Sequence, residues 1–329
     1  MMLSLVLAVV AGAVDAGFQV DAGVYDAGVP STWRLSAKLG PGSNARAELI
    51  RDLTRSLPDG GASAIGEKPL TLEEANALLD DPRAQLVYGD RTVAIVAPSM
   101  ITKQRQDHLD LKKLFLKPER VTSAAAFARD HQTVLATVEA KTRVDREVIV
   151  AILMWETKLG TITGDYHAFN AFVSQAYFID DASAVAMSRV EEKKMGDPVS
   201  QQKRVDTIRE RARRNLLALA RQCKAKGIDT LEIKGSWAGA LGYPQFMPAS
   251  LRWADDGDGD GKIDLFNFDD SIASVGRYLS ENGFSRGKSK AVWSYNHEAA
   301  YVEGVLAFAE ALHEVLQSDG GLPASDAGR

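Results

Sequence analysis

The run Val150-Ala151-Ile152-Leu153-Met154-Trp155-Glu156-Thr157-Lys158-Leu159-Gly160 holds a single acid, Glu156, among aliphatic and indole side chains. It stands one helical turn before a glycine suited to end the helix. A carboxyl held against apolar surface resists ionising, so its pKa rises. A carboxylic acid still protonated near neutral pH can act as a general acid, for example on a glycosidic oxygen. The plainer account is a glutamate on a helix surface that borders the core, and a motif this short does not separate the two.

A second stretch, Lys234 to Pro248, joins three glycines and other small residues to two polar groups, Ser236 and Gln245. Such glycine density lets backbone approach a ligand or a neighbouring helix closely. A buried amide and a buried hydroxyl need partners. A sugar hydroxyl, an acetamido group or a catalytic carboxyl would supply them; a loop packed for structural reasons alone is the competing account.

The third pattern is acidic. Asp256-Gly257-Asp258-Gly259-Asp260-Gly261-Lys262-Ile263-Asp264-Leu265-Phe266-Asn267 has the spacing of an EF-hand loop. Carboxylates of Asp256, Asp258, Asp260 and Asp264, the backbone carbonyl of Lys262 and the amide of Asn267 would surround a large hard cation, Ca2+. Asn267 stands where such loops carry a bidentate glutamate, which lowers the expected affinity. Asp269 or Asp270 are candidates to compensate. A plain acidic turn is the alternative.

The helix end at Glu156 and the block from Gly235 to Pro248, in that order, closely resemble the B-type lytic murein transglycosylases. Ser294-Tyr295-Asn296 with Tyr301 is similar to that family's C-terminal site segment, and the resemblance spans residues 75 to 316. It implies a mainly helical, lysozyme-like α+β fold with small strands and an EF-hand-like calcium loop. It also implies cleavage of the MurNAc–GlcNAc β-1,4 bond of peptidoglycan without water, leaving 1,6-anhydro-MurNAc. Glu156 then matches the single catalytic acid/base, Ser236 a serine that orients its carboxyl, and Gln245 a sugar contact. Tyr278, Tyr295, Asn296 and Tyr301 match cleft residues, while His297 is a rim residue with no role. A hydrolase with two carboxylates would need a partner for Glu156; Asp165 is the nearest in sequence, although Gly164-Asp165-Tyr166 reads more simply as a turn. Peptidoglycan glycan strands are the implied partner, with cell-wall synthases as further candidates. The other readings are a non-catalytic peptidoglycan-binding protein on the same fold, a hydrolytic lysozyme, and a calcium-dependent regulatory module, against which the lack of a second EF-hand loop counts.

The elements that must position these residues are mostly helices. Thr71 and Glu74 form a capping box for a helix that ends near Asp80-Asp81-Pro82. Thr92 to Val96 reads as a short strand. Ser123 to Lys141 reads as one helix with Phe127, Val134, Leu135 and Val138 on one face. Asp145 is placed to cap the glutamate helix, with Val144 and Ile149 as a hydrophobic staple. Arg204 to Lys226 reads as a long helix with a basic, solvated face. Ser271–Leu279 and Ala299–Leu316 supply two more helices.

Length and composition set the outer bounds. The 329 residues are 45% apolar and 25% charged, ordinary for a globular chain with a substantial core. A net charge of −5 argues against nucleic-acid binding through a basic surface. The single cysteine, Cys223, excludes an intrachain disulfide and reads as a small core residue. None of the five histidines has metal-ligand spacing; His108, His131, His167 and His313 read as surface or local structural residues. Residues 1–17 read as a signal peptide without the usual basic start, which points to export to the periplasm or cell envelope. No segment is long and apolar enough to span a bilayer. Residues 18–70 read as a flexible, low-complexity segment with a patch at Pro58–Ser63, residues 71–317 as the catalytic domain, and 318–329 as a disordered tail.

Overall fold

The structure, a computed structural model, describes residues 39–40, 42–56, 68–85, 92, 95–96, 115–189 and 197–318. The signal-peptide segment, the Pro58–Ser63 patch, His108 and the C-terminal tail lie outside these residues. In chain order the helices are α1 (Asn44–Thr54), α2 (Leu72–Asp80), α3 (Pro118–Asp130), α4 (Gln132–Thr142), α5 (Arg146–Thr157), α6 (Ala168–Tyr177) and α7 (Ile179–Arg189). They continue with α8 (Pro198–Lys226), α9 (Phe268–Glu281), α10 (Lys288–Tyr295) and α11 (Ala299–Ser318). Two short strands, β1 (Tyr166–His167) and β2 (Lys234–Gly235), pair antiparallel, Tyr166 opposite Gly235.

Helix α5 is the centre of the packing. Ten of its side chains from Val148 to Thr157 are buried, which follows from an almost wholly apolar sequence. Around it pack α3, α4, α9 and α11. Val144 and Ile149 are both fully buried, as a hydrophobic staple requires. Asp145 occupies the N-cap position but makes no capping bond; its carboxylate pairs with Lys288, and Glu139 accepts from Arg146 N at 3.1 Å in its place. Helix α11 lies so close to α5 that a Cβ on Gly304 would come within 2.2 Å of the Trp155 ring. Only glycine permits that approach, and the approach sets Tyr301, one turn earlier on α11, beside Glu156.

Four further expectations change. Ser123–Lys141 is two helices, because His131 leaves helical geometry (φ −105°, ψ 21°) and ends α3 while starting α4; Phe127, Leu135 and Val138 are buried and Val134 is half-buried. Thr92, Ile95 and Val96 carry helical backbone, not strand, and are buried. The folded unit begins before residue 71, since α1 buries Leu49 and Leu53 within the core. Finally, α8 is not a solvated basic face. Arg213 binds Asp52 and Glu48 of α1, Lys224 binds Glu74 of α2 at 2.6 Å, and Arg221 reaches Arg55 O at 2.7 Å. Its basic residues hold the N-terminal helices in place. The capping box at Thr71 and Glu74 forms as expected, and Cys223 is buried, its thiol pushed up to about 11 by burial.

Replacing Gly304 with alanine is expected to drive α11 away from Trp155 and to destabilise the fold by about 2 kcal/mol, the usual penalty for overpacking. Chemical denaturation checks this; a variant as stable as the parent would show that the α5–α11 contact has slack.

Candidate active site

Glu156 lies in the last turn of α5 with 2% of its surface exposed. Its Oε1 accepts a hydrogen bond from the Tyr301 hydroxyl at 2.9 Å. Its Oε2 is buried with no partner among the described residues. Burial pushes its pKa up to about 8, and the Tyr301 bond offsets only part of that rise. The carboxyl therefore favours its acid form at neutral pH, and its Oε2 is left without a partner among the described residues. Trp155 stacks on Phe115 at 3.8 Å between centroids and meets Tyr301 edge-on at 5.3 Å.

The helix ends just beyond Glu156, two residues before the expected Gly160. Lys158 (φ 48°) and Leu159 (φ 53°) both take left-handed backbone, and their N–H groups close on Met154 O and Leu153 O. With Gln245 (φ 51°), they are three of the four non-glycine residues of positive φ among the described residues. Such strain collects at functional sites, where the surrounding packing maintains it. Here the Thr157 hydroxyl donates to Tyr243 O at 3.1 Å and ties the helix end to the glycine-rich loop.

That loop closes on itself. Leu241 and Phe246 exchange backbone bonds of 2.8 and 3.0 Å, so Gly242–Gln245 forms the tip. Gly239 (φ 88°) sits where a Cβ would overlap the Phe172 ring at 2.3 Å, the close approach expected of this segment. Gln245 is buried; its Nε2 donates to Gly242 O at 2.9 Å and to Thr163 O at 3.4 Å, and its Oε1 has no partner in the protein. Ser236 is also buried, but its hydroxyl accepts from Ala240 N at 3.0 Å. It shapes its own turn and does not bond Glu156, contrary to the role implied by resemblance. Tyr301 orients the carboxyl instead.

The tyrosines form a connected group. Tyr295 lies parallel to Tyr301 with centroids 6.5 Å apart, and Tyr278 meets Tyr295 edge-on at 4.9 Å. The Tyr295 hydroxyl donates to Pro244 O at 2.5 Å, linking α10 to the loop tip. Tyr278 is set further back, its hydroxyl donating to Ser294 O at 2.6 Å. Burial raises the pKa of Tyr301 and Tyr295 well above the ordinary value, with the Glu156 charge adding to the rise, so both remain protonated donors. Asn296 is buried with its Nδ2 lacking a protein partner, and His297 packs beside Trp293, 5.5 Å between rings. Thus Tyr301 bonds Glu156, Tyr295 stacks on Tyr301 and bonds the tip of the Gln245 loop, and Thr157 ties that loop to the end of α5. Asp165 is not part of the group: it is exposed and paired with Lys234 at 2.7 Å, which lowers its pKa. The sequence reading passed over Glu298, a half-buried carboxyl between Asn296 and Tyr301 that burial pushes up to about 7. Its place between two named site residues was the available signal.

In the acidic loop, ligand oxygens of Asp256, Asp258 and Asp260 lie within 4.8 Å of one another. Oxygens bound to one Ca2+ at about 2.4 Å can be no further apart than about that, so the three fit a common ion. Loop amides hold them there: Gly259 N and Gly261 N donate to Asp256, Asp260 N to Asp258, and Lys262 N to Asp260. The Gly261 bond, foremost, keeps the Asp256 pKa low. Asp264 accepts from Phe266 N. Asn267 does not offer its oxygen to the loop centre. Its Oδ1 caps α9 by accepting from Asp269 N, and its Nδ2 donates to Asp258 at 2.8 Å. Asp270 compensates structurally, because its buried carboxylate accepts from both Gly257 N and Asp264 N and clips the two halves of the loop to α9.

Residues 73–303 match the Transglycosylase SLT domain family, well over half of the chain, and the protein belongs to this family. It is 28% identical over 185 residues to membrane-bound lytic murein transglycosylase B of Escherichia coli strain K12, an alignment covering 56% of this chain and 44% of that protein. The chain therefore spans less than half the length of that relative. Among solved structures, the catenated lytic transglycosylase SltB1 from Pseudomonas aeruginosa superposes with a TM-score of 0.55 at 21% identity, covering 83% of this chain and 98% of that one. The Escherichia coli lytic transglycosylase Slt35 in complex with calcium gives a TM-score of 0.50 at 20% identity, covering 64% and 79%. At these identities the likeness establishes the fold, the mainly helical, lysozyme-like one of the lytic transglycosylases.

The raised pKa of Glu156 has a consequence for stability. Below pH 4.5 both folded and unfolded carboxyls are protonated and burial carries no ionic penalty. Between pH 4.5 and about 8 only the unfolded chain releases the proton, so stability falls as pH rises. Glu156→Gln removes this effect and should match the parent at pH 4 but exceed it by roughly 4–5 kcal/mol above pH 8. Urea titrations across that range check this; a pH-independent difference would mean that Glu156 ionises normally.

Proposed function

We infer that this protein is a lytic transglycosylase that cleaves the MurNAc–GlcNAc β-1,4 bond of peptidoglycan and leaves 1,6-anhydro-MurNAc. The observation that carries this is the buried Glu156, whose pKa burial raises to about 8 and whose Oε2 has no partner among the described residues. In the first step Glu156 gives its proton to the glycosidic oxygen as the C1–O bond breaks. The carboxylate formed then accepts the proton of the C6 hydroxyl as that oxygen closes on C1. One group serves both steps and returns to its starting form, so no water and no second carboxylate are consumed. Tyr301 steadies the intermediate carboxylate through its hydrogen bond, which is worth more to the charged form than to the neutral one. Gln245 Oε1 and Asn296 Nδ2, an acceptor and a donor without partners among the described residues, suit sugar hydroxyl and acetamido groups. The tyrosine faces suit pyranose rings. The kinship with a lytic murein transglycosylase supports the same chemistry.

The fit of Asp256, Asp258 and Asp260 to one ion, and a structural relative solved with calcium, support a structural Ca2+ site. Asp264 and the Lys262 carbonyl would complete it, with Asn267 contributing only if it gives up its cap. The substrate places the protein in the cell envelope, and no described helix is long and apolar enough to cross a membrane. A hydrolytic outcome is the second reading, favoured only by Glu298, whose raised pKa would suit a base that activates water.

Glu156→Gln is expected to lower release of soluble fragments from sacculi by at least about 10³-fold, in keeping with the loss of an essential general acid, while binding to sacculi persists. Substantial residual turnover would remove Glu156 from the central role. Chelation should lower the melting temperature by about 5 °C, a shift absent in Asp258→Asn; equal melting with and without calcium would leave the loop a plain turn.

A further inference from the structure

The buried apolar residues form two clusters. The larger includes all of the apolar part of α5; the smaller joins Ile95, Val96 and Ile179 to Val205 and Ile208 of α8 and to Trp237. Three stretches of chain cross from one cluster to the other. The connection from α6 to α7 crosses between Phe178 and Ile179, α8 between Ile208 and Ala212, and the glycine-rich loop between Ala238 and Leu241. Ligand sites favour seams of this kind, where separately packed units meet.

Arg211 stands at the seam, next to Ala212 on α8, with 7% of its surface exposed. An arginine is rarely so buried without a carboxylate beside it. Here the guanidinium makes one hydrogen bond among the described residues, and to a neutral group: Nη2 donates to Oε1 of Gln175, on α6, at 3.1 Å. Its Nε is buried without a partner among those residues. Burial pushes the Arg211 pKa down to about 10, and the charges of Arg214 and Arg204 add to the fall. No carboxylate acts in the opposite direction.

Other arginines of α8 are matched. Arg209 pairs with Asp180 and Asp206, and Arg213 with Asp52 and Glu48. Arg204 is half-buried and donates to the Ile95 carbonyl at 2.6 and 3.2 Å, while Arg214 is exposed; neither makes an ion pair among the described residues. Arg204, Arg211 and Arg214 are spaced by seven and three residues, so they lie along one side of α8. That side carries three cations for which the described residues supply no counter-charge. A water molecule would satisfy Nε and leave the charge unmatched. An oxyanion satisfies both, and the guanidinium is the side chain best shaped to receive one.

We propose that the seam at Arg211 binds an oxyanion, the phosphate or carboxylate group of a ligand, with one oxygen on Arg211 Nε and Arg204 and Arg214 adding attraction from the same side of α8. Binding there would join the two clusters at the point where α6 and α8 cross between them. The site stands apart from Glu156 and does not rest on the glycan-cleaving reading.

The test is thermal unfolding of the full chain with a chelator present, at fixed ionic strength, as inorganic phosphate or acetate replaces chloride. The favoured anion should raise the melting temperature saturably, by about 5 °C. Arg211→Met should lose that gain and, in chloride alone, melt about 4 °C above the parent, because an unmatched buried charge has been removed. A response to phosphate alone identifies a phosphate-bearing ligand, one to acetate alone a carboxylate, and one to both a site that reads only the charge; each upholds the proposal. Arg214→Gln, at an exposed position, covers the case in which Arg211→Met fails to fold: calorimetric titration should give it an affinity for the anion about threefold below the parent's. An equal response in the parent and Arg211→Met, no response to either anion, or an unchanged affinity in Arg214→Gln would overturn the proposal. So would Arg211→Met melting below the parent in chloride, since the charge would then be matched within the chain itself.

Discussion

The structure depends on keeping one carboxyl dry. Glu156 is buried in the last turn of α5, and among the described residues a single hydrogen bond, from Tyr301, reaches it. Desolvation outweighs that bond, so the proton stays on the acid at neutral pH. A second charge-stabilising donor would lower the pKa and remove the acid. A cation beside it would do so more strongly. The absence of both around Glu156 among the described residues is as much a part of the site as the residues present.

Holding such a group requires rigid walls, and the fold supplies them from three directions. Helix α11 is pressed onto α5 at Gly304, which sets the Tyr301 hydroxyl in reach of Oε1. The glycine-rich loop is fixed to α5 through Thr157 and to α10 through Tyr295. The acidic loop, clipped by Asp270, presents Leu265 to that same loop, whose Tyr243 N donates to Leu265 O at 2.8 Å. Left-handed backbone at Lys158, Leu159 and Gln245 is the strain that these contacts sustain.

Much of this was legible in the sequence, for reasons that differ by residue. Glu156 stood out because an acid in an apolar helix is a local anomaly, and the acidic loop because ligand spacing is local too. The capping box at Thr71 and the helices α9 and α11 rest on short-range periodicity and capping, which sequence states directly. Partnerships across the chain were not legible. Ser236 was given the role that Tyr301 fills, since nothing local says which hydroxyl 80 or 145 positions away will reach the carboxyl. The arginines of α8 look solvated in sequence because their partners, Asp52 and Glu48, belong to α1, a helix that composition concealed within a seemingly flexible segment. The break at His131 was missed because both sides of it keep helical periodicity.

For the single-acid mechanism proposed above, the product is the most direct witness. Mass spectrometry of the muropeptides released when the purified protein acts on sacculi distinguishes the outcomes. The account predicts products lighter by one water than hydrolytic fragments, ending in 1,6-anhydro-MurNAc. Products with a reducing MurNAc end would contradict it, because water would then have attacked and a second carboxylate would have to be at work.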